Sequence, residues 1–440
     1  MRRLFRHHVL GSLLVAIAAA EAGVRLLTPR ETPIEPVDID LRDYFSDEEI
    51  TRGAAFARPQ LALALARGAV EAGALVLVAR AGAPNRLRRV RPPALAGAIV
   101  GAGLSVALAL PPLPLSAVAR RRAIAVGLVT QSWRGWAIDL AKATAIGSGL
   151  AALAGGVVVA VTERWPRGWW LPAAGGSVAA GALFAALGPV LLDPVFNTFE
   201  PLPEGSETRW DVFELARAAG VKVGEVYSVD ASRRTTAANA YVTGLGPTKR
   251  VVLFDTLLDR YSRDEVRVVV AHELGHVRHR DVPRGVLYAA IVAPAAAFAV
   301  QRVSWSLTEA GDRGTAAALP ALALAAGVVS APTGLLGNRL SRAIERRADE
   351  FSLALAGAPE AFVSFERTIA VQNVADLEPP RWASALLASH PPTAERIGAA
   401  VAWARRNGDA IGPATATATA TSPATPPHRT AGRPETPEGS

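Results

Sequence analysis

The chain has 440 residues, half of them hydrophobic and 20% charged, and it contains no cysteine. This composition excludes a disulfide framework, a thiol nucleophile, an iron–sulfur cluster and a cysteine-ligated zinc site, and it disfavours both a disordered chain and a purely soluble enzyme. The net charge of +8 comes from 44 arginines and 3 lysines against 39 acidic residues. Because the arginines cluster beside apolar runs, we interpret them as membrane-surface charge and expect no nucleic-acid partner.

Seven apolar runs set the predicted topology, and each is close to the ~20 residues that a helix needs to cross about 30 Å of hydrocarbon. The runs are Val9–Leu27, Gln60–Ala79, Pro93–Leu115, Ala137–Val161, Trp169–Leu192, Val286–Val303 and Ala316–Leu336. Tryptophans near their ends favour membrane spans over the buried helices of a soluble fold. We therefore predict a mainly α-helical protein with a bundle of about seven spans. An alternative for the first run is a cleaved signal peptide, because Ala18-Ala19-Ala20 offers a small-residue cleavage site.

Two polar stretches, 197–284 and 337–407, are separated by two spans and therefore lie on the same side of the membrane. They can form one soluble domain. The predicted units are a five-span membrane domain (1–194), the first part of the soluble domain (195–284), a two-span hairpin (285–337), the second part of the soluble domain (338–407) and a disordered Ala/Thr/Pro-rich tail (408–440). Counting arginines leaves the orientation open, since the clusters at 2–6 and 86–91 favour one side and the cluster at 120–122 the other.

The first polar stretch contains a metal-binding pattern. Ser262 and Glu265 form a capping box that opens a helix, and this helix carries His272-Glu273-Leu274-Gly275-His276. Two histidines spaced in this way project from one helix face, about one turn apart, and can bind one metal ion. Glu273 lies beside them, where it can take a proton from a metal-activated water.

The third ligand is expected from the second polar stretch, because a catalytic zinc takes three protein ligands and leaves one position open. Glu345 and Asp349 lie one helical turn apart in that stretch. We predict Glu345 as the third ligand and Asp349 as the acceptor of the distal N–H of a ligand histidine. His279 is rejected, because it would lie roughly 10 Å from His272 along one helix axis and three ligands in a row cannot surround a tetrahedral ion.

Two further segments flank this pattern. Residues 239–247 and 250–254 read as two short strands about a glycine-rich turn, and an exposed strand beside a metal helix can bind an extended peptide along its edge. Further downstream, His390 in Ser389-His390-Pro391-Pro392 and Arg396 are predicted to stabilise an oxyanion.

Together these features resemble the integral-membrane zinc metalloproteases that include the CAAX prenyl proteases and the HtpX-type heat-shock proteases, with the prenyl protease branch closer. The resemblance covers about Tyr44 to Ile397. Besides the metal pattern it rests on Asp43-Tyr44-Phe45-Ser46, Asp193-Pro194-Val195-Phe196-Asn197, Asp230-Ala231-Ser232, Asn239-Ala240-Tyr241, Phe254-Asp255-Thr256-Leu257-Leu258 and Ser389-His390-Pro391-Pro392.

The resemblance implies a gluzincin-like protease domain with a small β-hairpin or sheet, and one zinc ion per chain. In this domain His272, His276 and Glu345 would bind zinc, and Glu273 would be the general base. Asn239 and Ala240 would hold the substrate backbone, and His390 and Arg396 would line the cleft. The resemblance also implies a water-filled chamber between the spans and a protease domain that faces the cytoplasm.

We therefore predict a membrane-embedded zinc endopeptidase that hydrolyses peptide bonds in peptides or membrane proteins. The heavy use of arginine and alanine is typical of a GC-rich bacterial genome, so a bacterial cell membrane is the expected location. The alternatives are an HtpX-like quality-control protease of damaged membrane proteins and a non-catalytic membrane scaffold with the same fold. The intact Glu273 speaks against a scaffold, which has no use for a base beside the metal.

Overall fold

The computed structural model describes residues 2–31, 33–81, 90–244, 249–409 and 411. The helices of this part of the chain are α1 (Arg2–Leu27), α2 (Asp47–Ala81), α3 (Pro93–Ala109), α4 (Leu113–Ala125), α5 (Trp133–Arg164), α6 (Trp170–Leu191), α7 (Asp193–Phe196), α8 (Glu207–Ala218), α9 (Asp255–Arg260), α10 (Arg263–Arg278), α11 (Asp281–Leu307), α12 (Leu319–Ala356), α13 (Pro359–Gln372), α14 (Arg381–Leu386) and α15 (Thr393–Arg406). The tail predicted to be disordered lies almost entirely outside the described residues.

Six stretches of helix are long and apolar enough to cross a membrane, and they fall in α1, α2, α5, α6 with α7, α11 and α12. Helices α3 and α4 together make a seventh candidate, bent by 48°. Pro111 and Pro112 lie at this bend, where each removes a backbone hydrogen-bond donor. Every predicted apolar run falls on one of these helices, which confirms the prediction of a helical membrane bundle of about seven spans.

Close backbone contacts hold part of this bundle together. A Cβ atom placed on Gly101 of α3 would lie 2.1 Å from the carbonyl oxygen of Ala151 on α5. One on Gly97 would lie 2.5 Å from the carbonyl oxygen of Gly155. Small residues at such positions let membrane helices pack at short range. Large apolar side chains on the outer faces, such as Leu153 at 67% exposure, remain available to lipid.

The soluble domain contains a four-stranded sheet of β1 (Phe199–Pro201), β2 (Glu225–Val229), β3 (Ala240–Thr243) and β4 (Arg250–Phe254), in the order β1-β2-β4-β3. Strands β2 and β4 are parallel, and the two outer pairs are antiparallel. The predicted hairpin is β3 with β4, although residues 245–248 of its turn lie outside the described part. The core between the sheet and helices α8 to α10 contains Val212, Leu215, Val251, Leu253, Leu257 and Leu274.

Helices α10 and α12 pack against each other beside the candidate spans: α10 is followed directly by the span candidate α11, and α12 contains one. The capping box predicted for α10 is present: Glu265 N donates to Ser262 Oγ at 3.3 Å and Ser262 N donates to Glu265 Oε2 at 2.7 Å. Helix α12 has 38 residues and is therefore about 57 Å long, so it runs from a membrane span into the soluble domain. The two helices approach closely at Gly275, where a Cβ atom would lie 3.1 Å from Phe351.

Candidate active site

Three predicted ligands converge where α10 passes α12. The Nε2 atoms of His272 and His276, one turn apart on α10, lie 3.1 Å from each other. Glu345 on α12 places Oε2 at 3.3 Å from His272 Nε2 and Oε1 at 3.7 Å from His276 Nε2. One ligand atom from each residue lies within 4.8 Å of the others, so this group could hold a metal ion.

The spacing of these atoms fits zinc. Ligand atoms bonded at 2.0–2.1 Å to a tetrahedral ion lie about 3.3 Å apart, which is close to the separations of 3.1, 3.3 and 3.7 Å. Glu345 Oε2 is buried and receives no well-aligned hydrogen bond from the described residues. A cation between the three side chains would supply the missing partner. The predicted zinc cofactor is thus consistent with the site.

His272 is oriented by a chain of buried charged groups. Its Nδ1 lies 2.9 Å from Asp349 Oδ1, a distance that the role predicted for Asp349 requires. Arg396 on α15 donates to both carboxylate oxygens of Asp349, and its Nη1 lies 2.6 Å from Glu366 Oε1 on α13. The residues therefore form a line from His272 through Asp349 and Arg396 to Glu366, so α13 and α15 both help to fix the histidine ring.

His276 has an equivalent partner that was not predicted. Its Nδ1 lies 3.0 Å from Asp281 Oδ2, and Asp281 is in turn bound by Arg284 and Arg347. Arg280 has left-handed backbone angles, with φ 58° and ψ 46°, and this turn brings the first residue of α11 back toward the end of α10. In the sequence, the position of Asp281 five residues after His276 is the feature that could have suggested this contact.

The electrostatics of the site favour a cation and a base. Burial alone would lower the pKa of His272, but its contacts with Asp349 and Glu345 raise it to about 10. The site therefore stabilises positive charge at the position expected for the metal. Burial raises the pKa of the Glu273 carboxyl, against the opposing influence of His272 and His276. A carboxylate with a raised pKa is a better proton acceptor near neutral pH.

The two residues predicted to stabilise an oxyanion have different surroundings. The side chain of His390 is 62% exposed, with Nε2 at 3.4 Å from Glu345 Oε2 and Nδ1 at 2.9 Å from Ser389 Oγ, so it lies at the mouth of the metal group. Arg396 is instead largely buried and paired with Asp349 and Glu366. This pairing favours a positioning role for Arg396 over contact with substrate.

His279 lies away from the metal group. Its Nδ1 is 2.9 Å from the carbonyl oxygen of Gly275, and its ring packs edge-on against Phe351 with centroids 5.3 Å apart. Among the described residues, the group that could hold a metal ion consists of His272, His276 and Glu345, and His279 is not part of it.

Strand β3, which follows Asn239, is an edge strand of the sheet. Phe254 N donates to the carbonyl oxygen of Asn239, so by antiparallel alternation Tyr241 pairs through hydrogen bonds with Val252. The backbone groups of Ala240 and Val242 therefore point away from β4. The N–H of Ala240 donates to Asn239 Oδ1 at 2.9 Å. The strand thus presents backbone donors and acceptors at an edge of the sheet that packs on α10.

Comparisons with known proteins agree with this arrangement. The family model "Peptidase family M48" matches residues 207–404, which include the three ligands and Glu273. An uncharacterized metalloprotease, YhfN of Bacillus subtilis, is 31% identical over 301 residues, covering 67% of this chain and 70% of that protein. A protease HtpX homolog of Aeropyrum pernix is 30% identical over 235 residues, covering 50% of this chain and 71% of that protein.

A CAAX prenyl protease 1 homolog of Oryza sativa is 31% identical over 217 residues, which is 48% of this chain and 51% of that protein. The chain therefore spans about half the length of this relative. Among solved structures, Ste24p of S. mikatae superposes with a TM-score of 0.69 at 19% identity, covering 90% of this chain and 98% of that one. This likeness shows the fold. With the family match and its apolar helices, the chain is a membrane metalloprotease that belongs to peptidase family M48, a zinc-dependent family.

Proposed function

We propose that the chain is an endopeptidase in which His272, His276 and Glu345 hold the zinc ion and Glu273 is the general base. The observation that supports this most is the convergence of the three ligand side chains beside a carboxyl group whose pKa is raised by burial. Zinc at this position would polarise the scissile carbonyl and lower the pKa of a bound water. Glu273 would accept a proton from the attacking water and deliver it to the leaving amine, so no net proton is consumed.

His390 is proposed to stabilise the negative charge that develops on the carbonyl oxygen. Its exposed ring lies at the mouth of the metal group, where an N–H can point toward a substrate. Removing one such donor typically costs about 10²–10³ in kcat. Arg396 would act through Asp349 and not on the substrate itself.

Substrate would lie in an extended conformation along β3. The carbonyl of Ala240 and the backbone groups of Val242 are free to pair with an added strand, and Asn239 is placed beside them. Main-chain pairing of this kind gives affinity with little dependence on side chains.

Membrane proteins are the proposed substrates, because α12 carries Glu345 directly from a membrane span to the site. We also propose that the soluble domain faces the cytoplasm. This orientation follows the resemblance to the prenyl protease branch, because the arginine clusters at 2–6, 86–91 and 120–122 favour opposite sides. A finer proposal, which rests on the names of relatives, is a CAAX-like specificity.

The experiment compares membrane-protein fragments in cells that carry the wild type or Glu273→Gln, by mass spectrometry of labelled new termini. Glu204→Gln is the matched control, since Glu204 is exposed and distant in sequence from the motif. We expect a set of new termini in wild-type and control cells that is absent with Glu273→Gln. Identical termini in all three would reject the proposal.

A further inference from the structure

A second polar cavity, distinct from the metal group, lies where α2, the end of α4, α9 and α13 meet. It has a volume of about 530 Å³. Its polar lining residues are Arg52, Arg260, Arg367, Thr236, Thr368 and Gln372. The lining therefore includes three guanidinium groups and, among the described residues, no carboxylate.

The positive charge in this cavity is poorly neutralised. Arg52 donates to the carbonyl oxygen of Val126 at 3.3 Å, which leaves its charge uncompensated. Arg367 donates to the carbonyl oxygen of Tyr44 at 2.7 Å and reaches Glu49 at 3.4 Å. No carboxylate in the described chain lies within ion-pair distance of Arg52 or Arg260. Three guanidinium groups face one space, and among the described residues Glu49 is the carboxylate that forms an ion pair with one of them, an arrangement that favours the binding of an anion.

The position of the cavity indicates where such an anion comes from. Arg52 lies in the second turn of a membrane-spanning helix, α2, and Val126 directly follows α4. Nearby, the guanidinium of Arg120 lies over the rings of Trp133 and Trp136, at 5.3 and 5.5 Å from their centroids. Tryptophan and arginine at the ends of spans mark the level of the lipid headgroups. The cavity therefore opens at that level, on the side of the soluble domain.

We propose that this cavity binds an anionic phosphate group, supplied either by the headgroup of an anionic phospholipid or by free phosphate. Guanidinium groups bind phosphate oxygens through paired N–H donors, and the hydroxyl of Thr368 adds a neutral donor. The site also adjoins the substrate strand: Gln372 Nε2 donates to the carbonyl oxygen of Thr236, three residues before Asn239. Binding would thus hold α13 and the approach to β3 against the membrane surface.

The test uses the full chain in nanodiscs with equal phosphatidylcholine and phosphatidylglycerol, and counts the lipids retained on the released protein by native mass spectrometry. The variant is Arg52→Gln with Arg260→Gln, because neither side chain bonds to a carboxylate. The matched control is Arg121→Gln with Arg134→Gln, two exposed arginines of the same interface outside the cavity. A second arm titrates inorganic phosphate into protein in neutral detergent without anionic lipid, by calorimetry.

We expect phosphatidylglycerol to be retained by the wild type and the control, and to bind roughly 100-fold more weakly to the variant, since each hydrogen bond from a guanidinium group to a phosphate oxygen contributes about ten-fold. If the variant loses phosphatidylglycerol and the wild type binds no phosphate in the second arm, the ligand is a lipid headgroup. If the wild type binds phosphate in the second arm and the variant does not, the site binds free phosphate. Equal retention by variant and control with no phosphate binding overturns the proposal.

Discussion

Arg396 binds Asp349 through both carboxylate oxygens, at 2.9 Å from Nε to Oδ2 and 2.5 Å from Nη2 to Oδ1. The pair joins α15 to α12 and leaves Asp349 facing His272 at 2.9 Å. Because a carboxylate behind a ligand histidine fixes the ring and its tautomer, we expect this ion pair to hold His272 in the orientation that metal binding requires.

Asp349→Asn is expected to weaken zinc binding by roughly 10–100-fold while the protein stays folded, the usual cost of losing such a partner. The amide keeps the shape of the side chain but loses the charge that stabilises the N–H donor of His272. Competition with a fluorescent zinc chelator measures the change. Asp259→Asn, at an exposed position of α9, is the control, and equal zinc affinity in both variants would refute this role of Asp349.

Glu366 should give the protein a distinctive pH dependence. Burial raises the pKa of Glu366 to about 7, with Arg396 opposing the shift and Asp349 adding to it. The folded state then holds a proton that the unfolded state releases above the ordinary glutamate pKa of about 4.5, so stability falls as the pH rises from about 4.5 to 7, by roughly 3 kcal/mol. Glu366→Gln removes the titrating carboxyl group and with it this dependence of stability on pH. Thermal unfolding should show the variant gaining on the wild type as the pH rises; a difference that is constant with pH would contradict the assignment.

The edge of β3 can be tested by removing one backbone donor. Val242→Pro deletes an N–H that points away from β4, so the sheet should persist while pairing with substrate is lost. We expect a KM increase of about five- to ten-fold, the value of one hydrogen bond, with kcat changed less. Val242→Ala truncates the side chain and keeps the N–H. If both variants show the same KM, substrate does not use this edge.

The centre of the candidate site was predictable because two of its three ligand residues and the proposed base lie within five consecutive residues of one helix. The spacing of His272 and His276 on one helix, and the capping box that begins this helix, are readable from a few adjacent residues. Asp281 and Glu366 were not predicted, because their roles depend on a turn and on tertiary contacts. Glu366 lies one turn after Phe362 on the buried face of α13, where an isolated charge has no local explanation.

In the sheet, too, the pairing of strands adjacent in the chain was predicted and the pairing of strands distant in the chain was not. Strands β3 and β4 follow each other in a hairpin pattern and were predicted, whereas β2 pairs in parallel with β4 across the intervening segment. Strand β1 has three residues and ends in Pro201, which is too short to be recognised as a strand. Arg396 was predicted to face the substrate, because nothing in its neighbourhood along the chain shows the two carboxylates that bury it.

The ligand set is tested by comparing Glu345→Ala with His279→Ala. Glu345 contributes its oxygens to the group of ligand atoms, whereas His279 packs on Phe351. We expect Glu345→Ala to lose stoichiometric zinc and all peptidase activity, and His279→Ala to keep both. Zinc per purified chain, measured by mass spectrometry of the metal, decides between them, and the reverse pattern would refute the site.

The most direct test of the proposed chemistry is Glu273→Gln in the purified protein, with zinc content and peptide hydrolysis measured on the same sample. The amide preserves the size of the side chain but cannot accept a proton. We predict one zinc ion per chain and no more than a few per cent of wild-type turnover. Turnover near the wild-type level with zinc still bound would contradict the assignment of Glu273 as the general base.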